Sequence, residues 1–298
     1  MQDWHKYLMG PSKERTQERT GRGLTYLSIL LIGLLVGTII LFLISKGSQL
    51  FLAGEVSPRK FFFATIWSPG KGDFGAAPMI ITSLLVTLLA GIIALPLALA
   101  VGIAVVEILP FKTKKLIQPL IELLVGIPSV VYGLIGLTVI VPVVRQLIGG
   151  TGFGIIAASI VLFLMILPTI TSMIIEALQA VDEAQRRASA GLGATRWQTI
   201  TRIVIPTAKG GILTALIFGM ARAFGEALAV QMVIGNATLM PTSIHGSAAT
   251  ITSVLTTGMG NTILGTPAND ALWTLALVLL GMSLIFNLMM HIVTRKEV

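Results

Sequence analysis

Long apolar runs separated by short polar ones organise the chain, at residues 24–44, about 78–106, 116–147, 153–175, about 210–236 and 271–293. A helix needs about 20 apolar residues to cross a bilayer, so the pattern predicts an all-α polytopic membrane protein with six transmembrane helices. Pro96, Pro128 and Pro168 fall inside three of the runs. Bends are expected there, since neighbouring helices can re-satisfy the carbonyls that a proline frees. The first run has the look of a signal core but is too long, and no small-residue cleavage site precedes Ser45 and Lys46, so it reads as an uncleaved span. It carries Gly33 and Gly37 at a spacing that allows close helix approach, a spacing that also arises by chance in apolar sequence. Asn269 or Asp270 is available to cap the last span.

The polar intervals differ in kind. Residues 1–23 are basic and poor in apolar side chains, which predicts a cytoplasmic tail ahead of a transmembrane body over 24–298. Residues 47–77 bring Gly, Pro, Ser and an aromatic group at Phe61, Phe62, Phe63 and Trp67, as expected of an external loop at the membrane interface. Residues 237–268 hold no Lys, Arg, Asp or Glu, yet are too rich in Thr, Ser and Gly to span. A small re-entrant or interfacial helix near 248–255 is expected there. The interval 176–206 reads as two short amphipathic helices joined at Gly193. Ala177, Ala184, Ala188 and Leu192 recur at helical spacing in the first piece. Thr195 and Gln198 make a capping-box spacing in the second, and Trp197, Ile200 and Val204 share a face that ends at Pro206. Pattern alone leaves open whether this pair lies in the headgroup layer or docks on a partner.

Composition adds direction. Hydrophobic residues make up 54% of the 298 and charged ones 11%, so the net charge of +8 is no nucleic-acid footprint. It bears on orientation instead. With the N-terminus inside, 15 of the 21 Lys and Arg fall on one side, which places both termini and the 176–206 interval in the cytoplasm. Without cysteine, thiol catalysis and internal disulfides are excluded. His245 has no Cys or carboxylate cluster near it in sequence, so no metal site is expected, and no phosphate loop or G-x-S-x-G turn occurs.

The ionisable pair Arg222 and Glu226 stands inside the fifth run, four residues apart and therefore on one face of a continuous helix. An arginine there costs about 2.5–3.5 kcal/mol on insertion scales, so it needs a partner or a polar cavity. Two readings stand, a structural ion pair between helices and a substrate-path site. Glu107, Glu122 and Glu176 fall near cytoplasmic span ends, as boundary residues beside Lys and Arg.

The 176–206 interval resembles the cytoplasmic coupling loop of ATP-binding-cassette importer permeases, whose pattern is E-A-A, three residues, G, nine residues, then I-x-L-P. Gly193 takes the glycine, and Ile203, Val204, Ile205 and Pro206 take the closing run; Arg187 stands where the glutamate is usual and Ser189 where the second alanine is usual. The run RAFGEALAVQMVIGN over 222–236 resembles the fifth span of phosphate-import permeases, closer to the C-type than to the A-type of the two paired subunits. PSVVYGLIGL over 128–137 and WSPGKGDFGAAP over 67–78 point the same way.

The resemblance implies a type I ABC importer permease fold and a non-enzymatic subunit that moves phosphate by alternating access in a bacterial inner membrane. It also implies a second permease, two ATP-binding subunits that hold ATP and Mg, and an external phosphate-binding protein. Arg222 and Glu226 are then the substrate-pathway residues, and Arg187, Gly193, Trp197, Ile203 and Pro206 belong to the ATPase-coupling surface. Phe224 and Ala227 stand where Ile and Thr are expected, which keeps another oxyanion such as sulfate or molybdate as a rival substrate. A secondary transporter would show inverted repeats or an ion relay, and neither is visible.

Overall fold

The fold, taken from a computed structural model and described for residues 13–295, is helical apart from one two-stranded hairpin. Among the described residues, six helices are long and apolar enough to cross a membrane. Three form the centre of the bundle: α4 (Ala77–Ile103), α8 (Ile155–Gln179) and α11 (Ile205–Phe224). In lipid, helices gain little from hydrophobic burial against one another, so contact depends on close van der Waals approach over small residues. Ala90, Ala94, Ala98 and Gly102 recur every four residues along α4 and are buried. A Cβ on Gly102 would stand 2.7 Å from Ile174 of α8, and one on Gly219 of α11 would stand 2.4 Å from Ile170.

The remaining elements frame this centre. α1 (Lys13–Gly47) begins within the stretch expected to be tail, because its Lys, Glu, Arg and Gln are good helix formers that extend the apolar run in the N-terminal direction. Residues 1–12, with Lys6 and His5, lie outside the described part, as does Lys296. α1 touches the rest of the chain near its C-terminal end, where Thr274 Oγ1 donates to Gly47 O (2.9 Å) and Phe42 meets Trp273 edge-on. Gly33 and Gly37 have nothing within 4 Å of a Cβ, so the small-residue spacing packs no helix of this chain. In the following loop come α2 (Gln49–Leu52), α3 (Pro58–Phe63) and the hairpin of β1 (Trp67–Ser68) and β2 (Asp73–Phe74). Phe61 is the buried hub of the aromatic group, edge-on to Phe51, Phe62 and Trp67, whereas Phe63 points outward.

Four boundaries differ from the sequence pattern, each for a local reason. The third run is divided into α5 (Phe111–Val125) and a second stretch of α6 (Ser129–Ile135), a π turn and α7 (Val141–Ile148). Pro128 starts that second stretch, since the residue before a proline avoids helical geometry. Tyr132 Oη donates to Leu124 O (3.1 Å) across the break. Pro206 does not stop a helix. It sits in the first turn of α11, after α10 (Arg196–Thr199) and a π turn over Ile200–Val204 whose five-residue bond from Ile205 N to Ile200 O shifts the ladder ahead of the proline. The fifth run breaks after Phe224 and resumes as α12 (Leu228–Val233). The last helix, α14 (Pro267–Arg295), starts earlier than expected. Thr266 Oγ1 accepts from Asn269 N (3.4 Å), while the buried Asn269 side chain bridges Thr262 and Trp273 instead of capping.

The expected small helix in the uncharged segment is α13 (Ile251–Gly258), opened by a Thr250 and Ser253 capping box and buried along its first turn. Small residues at the α8 and α11 crossing set a testable limit. Gly219→Val overpacks against Ile170 and lowers the unfolding midpoint of the detergent-purified chain, by about 1–3 kcal/mol of stability. Gly37→Val, with open space around it, leaves that midpoint unchanged.

Candidate functional site

The break between α11 and α12 gathers the polar groups of the bundle. α11 ends as Gly225 N donates to Ala221 O (3.3 Å) and Glu226 N to Ala223 O (3.2 Å), a tightened last turn that rotates Glu226 away from helical register. Arg222 and Glu226 are therefore not an ion pair in this structure, contrary to the expectation for a continuous helix. The Glu226 carboxylate instead accepts from Ala229 N (3.3 Å), a favourable place for an anion at the start of α12. Arg222 reaches across to α8, where its Nη1 donates to Thr169 Oγ1 at 2.6 Å. No other side-chain hydrogen bond or ion pair of Arg222 occurs among the described residues.

Hydroxyls surround Glu226. A cavity of about 10 Å³ is lined by Glu226 together with Ser83, Thr87, Thr250 and Thr252. Such a volume suits a single water molecule. Thr252 Oγ1 donates to Glu226 O (2.8 Å), and Ser83 Oγ accepts from Ile251 N (2.9 Å), so α13 is held against both α4 and the helix break. Gly133 of α6 lets that helix close on α12, where a Cβ would meet Met232 and Ala229, and Gly136 in the π turn after it lies against both α8 and α12, where a Cβ would meet Val161 and Val233. A second cavity of about 280 Å³ lies beyond α13, between Trp67 and Pro69 on one side and Asn236, Thr257 and Asn261 on the other.

The 176–206 interval lies at the opposite ends of α8 and α11. It consists of α9 (Glu183–Gly191), the turn at Gly193 and α10 running on into α11. Asp182 caps α9 by accepting from Ala184 N (2.9 Å), and Gly193 takes φ +78°, the left-handed conformation that glycine tolerates best. Thr195 and Gln198 form the reciprocal capping box expected of them. The two expected apolar faces are split. Ile200 and Val204 are buried, but Ala184, Ala188, Leu192 and Trp197 face outward, with Trp197 64% exposed. Arg187 is also exposed and pairs with Glu183 (3.7 Å), Ile203 is half-buried, and Pro206 is exposed. Ser189, at the position where alanine is usual, is buried with its Oγ 2.9 Å from Thr199 Oγ1, and so joins α9 to α10.

A residue with no assigned role in the sequence reading holds this interval to the bundle. The Arg186 side chain, 16% exposed, pairs with Glu107 at 3.1 Å, itself 12% exposed, just past the end of α4. Arg186 also donates to Leu178 O (2.7 Å) and Val181 O, capping the end of α8, and Arg196 donates to Glu107 O. Glu107 is the boundary carboxylate beside arginine that its place in the sequence suggested; nothing in the sequence singled out Arg186 among its neighbours. Thr169 was equally silent, because threonine in an apolar helix usually returns its hydroxyl to its own backbone.

Residues 94–297 match the family of binding-protein-dependent transport system inner membrane components. The chain is 48% identical over 262 residues to a probable ABC transporter permease protein, YqgH, of Bacillus subtilis, covering 87% of this chain and 85% of that one. It is 32% identical over 244 residues to the phosphate transport system permease protein PstC of Mesorhizobium japonicum, covering 75% and 73%. Among solved structures, a chain of a bacterial alginate ABC transporter aligns over 95% of this chain and 98% of its own with a TM-score of 0.62 at 16% identity. A chain of the MetNI methionine ABC transporter aligns over 73% and 94% with a TM-score of 0.57 at 18% identity. With six candidate spans among its described residues and the type I importer fold, the chain belongs to the binding-protein-dependent inner-membrane permeases of ABC importers.

Proposed function

We propose that this permease is the C-type subunit of an ATP-driven phosphate importer and that Arg222 handles the anion on its way through the membrane. The observation that carries the reading is the state of Arg222: a guanidinium among apolar helices, released from Glu226 by the helix break, whose one side-chain hydrogen bond among the described residues is to the Thr169 hydroxyl. Phosphate carries one to two negative charges at neutral pH, and a guanidinium offers it paired, fork-shaped hydrogen bonds. The relatives named as phosphate permeases, at about 30% identity, support the same choice of anion.

The rest of the importer follows from this reading. ATP and Mg are held by two partner subunits, a second permease completes the pathway, and an external phosphate-binding protein delivers the anion near the cavity beside Trp67 and Asn261. Both termini and the 176–206 interval face the cytoplasm, where Leu192 and Trp197 offer exposed apolar anchors to the ATPase. α10, the π turn and α11 form one helical stretch of 29 residues from Arg196 to Phe224. At 1.5 Å per residue this is roughly 40 Å of helix linking the ATPase contact to Arg222. A displacement at Trp197 thereby reaches the anion site through a single element.

Two experiments test the reading. In the first, phosphate uptake, ATP hydrolysis and assembly are measured for Arg222→Gln, Glu226→Gln and the double variant. Loss of uptake with assembly retained in Arg222→Gln is expected, and the double variant is expected to assemble without regaining uptake. Normal phosphate uptake by Arg222→Gln refutes the proposal. The second concerns coupling. Trp197→Ala is expected to weaken ATPase binding by a hot-spot amount, about 2 kcal/mol or more, with no change in the chain's own unfolding, since the ring is exposed. Glu107→Gln strands Arg186 and is expected to lower unfolding stability itself, by about 3–5 kcal/mol. Equal effects of the two variants on unfolding contradict this division of labour.

A further inference from the structure

Thr169 uses its hydroxyl differently from two other threonines on the spanning helices, Thr171 and Thr138. Thr171, two residues along α8, donates to Leu167 O (2.7 Å), and Thr138 donates to Leu134 O (2.7 Å), each returning its proton to the preceding turn. Thr169 instead accepts from Arg222 Nη1 at 2.6 Å, and no hydrogen bond to the preceding turn accompanies it. It is 7% exposed and follows Pro168, on the helix that packs along α4 and α11. The bond spans two helices and is the one side-chain hydrogen bond of this guanidinium among the described residues.

We infer that Thr169 is a positioning residue for anion transfer, fixing one edge of the Arg222 guanidinium so that its remaining N–H groups stay aimed at the passing oxyanion. The inference rests on Arg222 being the anion-handling residue. Arginine has five N–H donors in a planar fork, so anchoring Nη1 fixes the plane of the whole group. A hydroxyl suits this role better than a carboxylate would. It orients the cation without neutralising it, and the charge remains available to the substrate. Glu226, drawn off to the start of α12, is consistent with the same arrangement. Valine at this position keeps the branched shape of threonine but offers no acceptor, while serine keeps the acceptor and drops one methyl.

The test uses the importer reconstituted in proteoliposomes with the subunits that copurify with the chain, and inorganic phosphate as the probe. Uptake and ATP hydrolysis are measured together for Thr169→Val, Thr169→Ser and Arg222→Gln. Thr169→Val is expected to lower phosphate moved per ATP hydrolysed on the order of tenfold, the scale of one hydrogen bond to a charged group, with ATP hydrolysis retained. Thr169→Ser is expected to restore most of that ratio. A packing defect would lower assembly and hydrolysis together and would not be rescued by the smaller side chain. Normal transport per ATP in Thr169→Val alongside a defective Arg222→Gln overturns the role of Thr169 alone. A Thr169→Ser as defective as Thr169→Val overturns it as well, since the acceptor is then irrelevant. Normal uptake in Arg222→Gln overturns the underlying reading of the anion site.

Discussion

A guanidinium buried within or at the end of an apolar bundle has to be satisfied, and the way each of two arginines meets that demand organises this protein. Arg186 is held by Glu107, by Glu183 and by the carbonyls of Leu178 and Val181 at and just past the end of α8, and so works as a fixed clasp. Arg222 is satisfied by one hydroxyl and keeps its charge. A strong ion pair at the second position would neutralise Arg222, whereas an unpaired guanidinium at the first would leave the 176–206 interval without its tie to the bundle. The break at Gly225 separates the two cases, because it sends Glu226 to the start of α12 and away from Arg222.

Around these charges the packing is built for close approach. Glycine and alanine at the α4, α8 and α11 crossings bring the backbones together where lipid provides no hydrophobic drive. The uncharged segment before α14 then folds back as α13, whose Ile251 N–H donates to Ser83 of α4 and whose Thr252 hydroxyl donates to Glu226 O at the helix break. One end of the bundle is thus held by hydroxyl contacts beside Glu226, the other by the Arg186 clasp, with the stretch from Arg196 to Phe224 running between them.

Much of this was legible in the sequence, since apolar runs of spanning length leave few alternatives to a six-helix bundle. The capping box at Thr195, the left-handed turn at Gly193 and the small helix after Thr250 were legible for the same reason, as each depends on residues within a few positions of one another. What the pattern missed was set by backbone exceptions or by distance. Pro206 was absorbed by a π turn, which leaves no signature in hydrophobic spacing, and the break at Gly225 undid a pairing that four-residue spacing favours. The Arg186 and Glu107 contact joins positions 79 apart, and that of Arg222 with Thr169 joins positions 53 apart, so neither could be read from local order.

The central claim is that this chain passes an anion inward only as part of an ATP-driven assembly. Its most direct test is to purify the chain from membranes under mild conditions, identify the subunits that accompany it, and follow phosphate entry into proteoliposomes with and without ATP. The expected result is an ATP-binding subunit and a second polytopic permease in the preparation, with phosphate accumulating only when ATP is present. A chain that purifies without an ATPase and still accumulates phosphate on an ion gradient contradicts the account.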